Sequence, residues 1–255
     1  MDNKDKRKLL IKAAIYIIVR AVTLAVLVYS LRRGQWENAV TCALTLGLMM
    51  IPSFLERRLK IGLPTVMEII MISFVFAANI LGEISAFYEK LPMLDTALHT
   101  VNGFICAGVG FGLIDILNRS SRVRFRLSPL FVVLFSFCFS MTAGTVWEFF
   151  EFGMDCLFGK DMQKDTVISA IHSRLLGADE TAVIENISRT AVNGRDLSVG
   201  GYLDIGLIDT MKDLLVNFAG AAVFNTAGYF YLIGRKKHTG FIRNFIPVKG
   251  NAGKL

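Results

Sequence analysis

LLIKAAIYIIVRAVTLAVLVYSL, residues 9–31, is a run of 23 residues in which only Lys12 and Arg20 are charged. The hydrocarbon core of a bilayer takes about 20 consecutive apolar residues wound as a helix, so this stretch reads as a membrane span. A cleaved secretory signal has a shorter apolar core and a small-residue cleavage site. Here the run is longer, ends on Leu31-Arg32-Arg33 and follows Lys4, Lys6, Arg7 and Lys8. It reads as a retained helix.

Five further apolar runs follow, at about 36–55, 63–88, 95–118, 128–158 and 205–234. The third opens on Leu63-Pro64 and the fifth on Ser128-Pro129, an N-cap residue followed by a proline suited to the first helical turn. The chain is therefore expected to be all-α, a polytopic membrane helix bundle of about six transmembrane helices. These form one transmembrane domain over 1–255, with an extracytoplasmic loop at 159–204 and a basic cytoplasmic tail at 235–255. Composition agrees: 53% of the 255 residues are hydrophobic and 19% are charged, against about a quarter charged in soluble domains.

The net charge of +7 lies mainly in residues that flank apolar runs, the pattern of topology signals rather than of a nucleic-acid surface. With the N-terminus inside, the inner segments hold 17 Lys and Arg and the outer ones 8. The expected topology has both termini cytoplasmic. Cys42, Cys106, Cys138 and Cys156 fall one to an apolar run, without ligand spacing, and read as small packing residues. In the outer loop Val167, Ile168, Ile171 and Leu175 recur at helical spacing, as do Val183, Ile184 and Ile187. Two short amphipathic helices are expected there, ahead of a turn-rich return around 194–201.

Charged groups at mid-membrane cost roughly 2.5–3.5 kcal/mol each on insertion scales, so they persist where they face a protein interior, a cavity or a partner. The expected topology brings Asn79 and Glu83, Asp95, His99 and Asn102, Glu148, Glu151 and Asp155, and Asp209, Asp213 and Asn217 to one outer layer. Within each run the spacing is i,i+3 or i,i+4, which places such residues on one helix face. His99, Glu148, Glu151, Asp209 and Asp213 form the candidate shared site, as catalytic groups or as metal ligands. Glu83, Asp95, Asn102, Asp155, Lys212 and Asn217 are candidate substrate-binding residues. So many carboxylates close together require protonation or a cation. Oxygen ligands with one imidazole suit Mg²⁺, Mn²⁺ or Ca²⁺, and Zn²⁺ remains open. Against this stands the reading of Asp95, Asp155 and Asp204 as solvated helix caps.

Arg20, mid-span, reads as an interior structural partner or a headgroup receptor. Lys12, Glu68 and Asp115 read as snorkelling or capping groups near inner helix ends. The GxxxG of Gly108-Val-Gly-Phe-Gly112 reads as a close helix–helix contact.

The ordered trio Asp95-Thr-Ala-Leu-His99 with Gly103, Glu148-Phe-Phe-Glu151 and Asp209-Thr-Met-Lys-Asp213 resembles the YjdF-like family of bacterial inner-membrane proteins. Asp209-x3-Asp213-x3-Asn217-x2-Gly220 is similar to a helix of VanZ-type proteins, which are linked to glycopeptide resistance. The resemblance covers about half the chain and implies a bacterial cytoplasmic-membrane location and a shared site, without naming its chemistry. The long outer loop departs from that pattern.

Three functions fit. One is a metal-dependent intramembrane enzyme acting on a lipid or lipid-linked headgroup. The second is a non-catalytic envelope protein that binds a lipid or antibiotic headgroup. The third is a proton- or cation-coupled transporter, which the shallow acids and the lack of internal repeats disfavour.

Overall fold

The computed structural model describes residues 3–58, 61–85, 91, 93–118, 127–234 and 241–249. The chain divides into two compact units, one of Met1–Val146 with Asp213–Leu255 and one of Trp147–Lys212. The helices are α1 (Asn3–Arg32), α2 (Trp36–Leu48), α3 (Ile51–Arg58), α4 (Thr65–Phe76), α5 (Met93–Asn118), α6 (Pro129–Phe158) and α7 (Leu207–Ile233). Among the described residues, five stretches are long and apolar enough to cross a membrane: Leu9–Arg32, Trp36–Arg58, Thr65–Gly82, Met93–Asn118 and Pro129–Phe158. At 27 residues α7 is equally long, but Asn217, Asn225, Thr226 and its glycines dilute its hydropathy. The fold is an all-α polytopic membrane bundle.

In the first unit, the second span is two helices. Pro52 in α3 lacks the N–H that a continuous helix would direct at Leu48. At this break Met49 offers its carbonyl to Arg20 Nη2 at 2.9 Å, and the Arg20 guanidinium lies 5.0 Å from the Tyr16 ring centre. Arg20 is thus an interior structural partner. Two turns before Arg20, Lys12 is paired with Glu68, which also accepts from the Tyr16 hydroxyl at 3.4 Å. Glu68 and Asp115 are 4% and 3% exposed. Both are core residues of the bundle, where the sequence pointed to snorkelling or capping groups. Helix α4 continues into a π-helical segment, Ala77–Ile84.

Helices α5, α6 and α7 pack through small residues. A Cβ on Gly103 would meet the backbone of Asn217, and one on Gly220 the backbone of Thr100 and Phe104. Across α6, the Ser140 and Ser136 hydroxyls donate to the carbonyls of Gly103 and Ala107 at 2.8 and 2.7 Å. His99, Asn102 and Phe111 meet Asp213, Asn217 and Phe224 in the same order, so α5 and α7 run parallel, while Gly103 and Ala107 meet Ser140 and Ser136 in reverse order, so α6 is antiparallel to them. Below this layer the core consists of Ala107, Phe111, Ile114, Val132, Ala221 and Phe224, with Phe245 and Ile246 from beyond α7.

The GxxxG makes the expected close helix contacts and one more. A Cβ on Gly108 would meet Phe224 of α7 and Met67 of α4, and one on Gly110 the Phe139 side chain of α6, while Gly108 and Gly112 also face the Phe245 carbonyl and the Pro247 ring of the segment beyond α7. The 3₁₀ turn Phe241–Phe245 and strand β8 (Val248–Lys249) bring that segment in, and β8 pairs antiparallel with β1 (Ile61–Gly62).

In the second unit, the end of α6 and the start of α7 flank six short strands. These are β2 (Thr166–Ile168), β3 (Ile171–Ser173), β4 (Ala182–Ile184), β5 (Ala191–Val192), β6 (Arg195–Asp196) and β7 (Tyr202–Asp204). They pair antiparallel as β2 with β7, β3 with β4 and β5 with β6. The expected amphipathic helices are therefore strands. Asn193 and Gly194, both at positive φ (51° and 77°), form the two-residue connection of β5 and β6, the Asn-Gly hairpin signal. Where helices were expected, the β-branched Val167, Ile168, Ile171, Val183 and Ile184 fall in β2, β3 and β4, and their strand preference outweighs a helical period carried by so few positions.

Candidate functional site

In the first unit, α5 and α7 run side by side because Gly103 and Gly220 let their backbones touch. One turn before Gly103 stands His99, and two turns before Gly220 stands Asp213. The Nε2 atom of His99 lies 3.6 Å from Asp213 Oδ2 and 3.6 Å from Asp95 Oδ1. His99 and Asp213 are 7% and 3% exposed, and Asp95 is half-buried in the first turn of α5, where the helix dipole favours a carboxylate. One imidazole edge therefore faces two carboxylates. This arrangement can hold a proton, or it can present three donor atoms to a cation.

Beneath it lies an amide layer. Asn102 Nδ2 donates to Asn217 Oδ1 at 3.0 Å, and the Cys106 thiol contacts Asn102 Oδ1 at 3.4 Å. Asn217 is fully buried, with its Nδ2 directed at the Ser140 carbonyl, 3.4 Å away. Gly144 leaves room for the Asn217 amide, which would stand 2.9 Å from a Cβ there. Asn102 and Asn217 thus join two helices and form the floor under His99 and Asp213. The sequence marked both asparagines but not the serines or Gly144, whose role comes from tertiary packing alone.

In the second unit, Glu148 and Glu151 are buried at 4% and 6% exposure. Glu151 Oε1 accepts from the Trp147 indole N–H at 2.7 Å, one helical turn away. Both follow Gly144 along the same continuous helix, by four and seven residues. Asp155 is used by the fold: its two oxygens accept the backbone N–H groups of Met162 and Gln163 at 2.6 and 2.9 Å and so shape the exit from α6. Asp204 likewise caps Ile208 at the start of α7. Asp209 accepts the Lys164 backbone N–H at 2.7 Å, and Lys212 is exposed. Near this corner, burial pushes the Asp165 carboxyl above its ordinary range, with the neighbouring charges of Asp161, Asp204 and Asp155 adding to it. Glu83 falls in the π-helical segment, and its side chain lies outside the described residues.

The cysteines are free: Cys42 is buried, Cys106 partly so, and Cys138 and Cys156 are exposed. Phe149 and Phe152 are exposed on α6, as lipid-facing rings would be.

Residues 11–234 match a family model whose description is "Predicted membrane protein (DUF2238)". No curated protein and no solved structure matches the chain.

Proposed function

We propose, from the premise that the chain belongs to the DUF2238 family of predicted membrane proteins, that it is an intramembrane enzyme. It acts on a lipid or lipid-linked headgroup at the outer leaflet, with a divalent cation held at His99. The observation that carries this reading is the single His99 nitrogen facing two carboxylate oxygens at 3.6 Å each. That separation exceeds a hydrogen bond, about 2.7–3.2 Å. Oxygen donors with one imidazole suit Mg²⁺, Mn²⁺, Ca²⁺ or Zn²⁺.

In this reading Asp213 and Asp95 serve as ligands or general base, and His99 acts as ligand or as acid–base group. Glu148, Glu151 and Asp209 stay candidates for the same chemistry on the strength of the motif order along the sequence. A cation there would polarise a headgroup oxygen or acidify a bound water. The YjdF-like and VanZ-like likenesses, the bacterial cytoplasmic membrane and cytoplasmic termini belong to the same proposal. They are supported by the three motifs and by the Lys and Arg distribution.

The test is metal analysis of the protein purified in detergent, with headgroup release from defined lipids measured in parallel. About one divalent ion per chain is expected, lost in His99→Ala and Asp213→Asn together with turnover. An ion without turnover on any headgroup makes the protein a binder and not an enzyme. No bound or titratable ion in the wild type overturns the cation.

A further inference from the structure

We infer that the segment Phe241–Lys249 is a stopper for the helix core: it completes a dry aromatic barrier beneath the His99 layer, and displacing it admits water from the end of α5 far from His99. The inference concerns the first unit alone and does not depend on which chemistry His99 serves.

Polar groups follow one another down α5. His99 and the Asn102–Asn217 pair come first, and Asp115, 3% exposed, comes last. Between them stands a layer of rings. Phe104 meets Phe224 and Phe245 edge-on, each at 5.1 Å between centres, and Phe111 meets Phe224 at 5.8 Å. Three of the four rings belong to α5 and α7. The fourth, Phe245, is brought in by the segment beyond α7.

The seat for that segment is built into α5. Gly108 and Gly112 lie one turn apart, and a Cβ on either would stand 2.9 Å from the Phe245 carbonyl oxygen or 2.5 Å from the Pro247 ring. Gly112 is 13 residues past His99, or about 20 Å along the helix. Phe245 and Ile246 are 6% and 3% exposed and belong to the buried apolar core. The strand pairing that follows is short, Ile61 with Lys249 and Gly62 with Val248. Most of the hold is thus apolar seating against glycine. A segment seated this way can be displaced without breaking a helix, which is the property of a stopper.

Cys106, on α5 between the amide layer and Gly108, reports the barrier. In a chain carrying Cys42→Ala, Cys138→Ala and Cys156→Ala, an impermeant maleimide is applied to oriented vesicles from the face that bears the segment. Cys106 is expected to react slowly in the otherwise whole chain and roughly tenfold faster or more, through local opening, when the chain stops after residue 240. Gly112→Leu, which puts a side chain in the seat of Pro247 while keeping the segment, should give the same gain. Phe245→Ala should give a smaller one. If the truncated chain does not fold, the two substitutions decide the question. Equal protection of Cys106 in both, or rapid labelling of the whole chain, overturns the stopper.

Discussion

Replacing Gly103 by alanine tests what holds α5 against α7. A β-carbon at 103 would stand 2.8 Å from the carbonyl carbon of Asn217 and 3.0 Å from its Cα. Carbon atoms in contact prefer about 3.5–4.0 Å, so the helices must part by about 1 Å. Overpacking of this kind costs about 1–3 kcal/mol. By contrast, the Asn102–Asn217 hydrogen bond, which joins the same two helices, should be worth about 0.6 kcal/mol, the average for polar pairs inside membranes. At about 2–4 °C per kcal/mol for a chain of this size, Gly103→Ala should lower the Tm by roughly 2–12 °C and Asn102→Ala by about 2 °C. Thermal unfolding of both in the same detergent gives the comparison. Gly103→Ala combined with Gly220→Ala should cost less than the two singles added, because the first already separates the backbones. The reasoning is refuted by a Gly103→Ala protein that melts with the wild type, or by an Asn102→Ala protein that is the less stable of the two.

Two other outcomes follow from charges in different settings. Glu68→Ala leaves Lys12 facing the protein interior without its partner and should cost about 3 kcal/mol, while Lys12→Met with Glu68→Met should recover most of that; equal losses in the single and double variants would count against an interior pair. Asp165→Asn removes a carboxyl whose folded pKa is raised, so the folded state prefers the protonated form. Its penalty is absent below the ordinary carboxylate range and appears as pH rises through the folded value. The variant should therefore match the wild type in strong acid and exceed it at neutral pH, and a gain confined to low pH would reverse the assignment.

The helices were legible because length and hydropathy decide a membrane span, and residues 9–31 or 128–158 admit no other reading. His99, Asp95 and Asp213 were legible because ionisable groups on apolar runs need a reason to be there, and helical spacing put them on shared faces. What could not be read depends on partners distant in sequence. Gly108 and Gly112 announce a close approach but not its occupant, and only the fold places Phe245 and Pro247 there. The loop at 159–204 misled through its short apolar repeats, although Asn193-Gly194 carried the hairpin signal. Asp155 and Asp204 read in the sequence as capping groups because they lie at helix ends, and their oxygens are engaged by backbone N–H groups. Glu68 seemed near enough to a helix end to reach water, and its burial arises from packing across from α1.

The π-helical segment Ala77–Ile84 carries a consequence for chain length. Its wider turn accommodates about one residue more than an α-helix of the same rise, so the span holds a residue of slack. Loss of a single residue from this stretch would let it relax to ordinary α geometry while the residues beyond keep their facing. In a plain α-helix the same deletion turns everything beyond it by about 100°. This span has a residue to give up, so related chains one residue shorter here would keep its end aimed the same way.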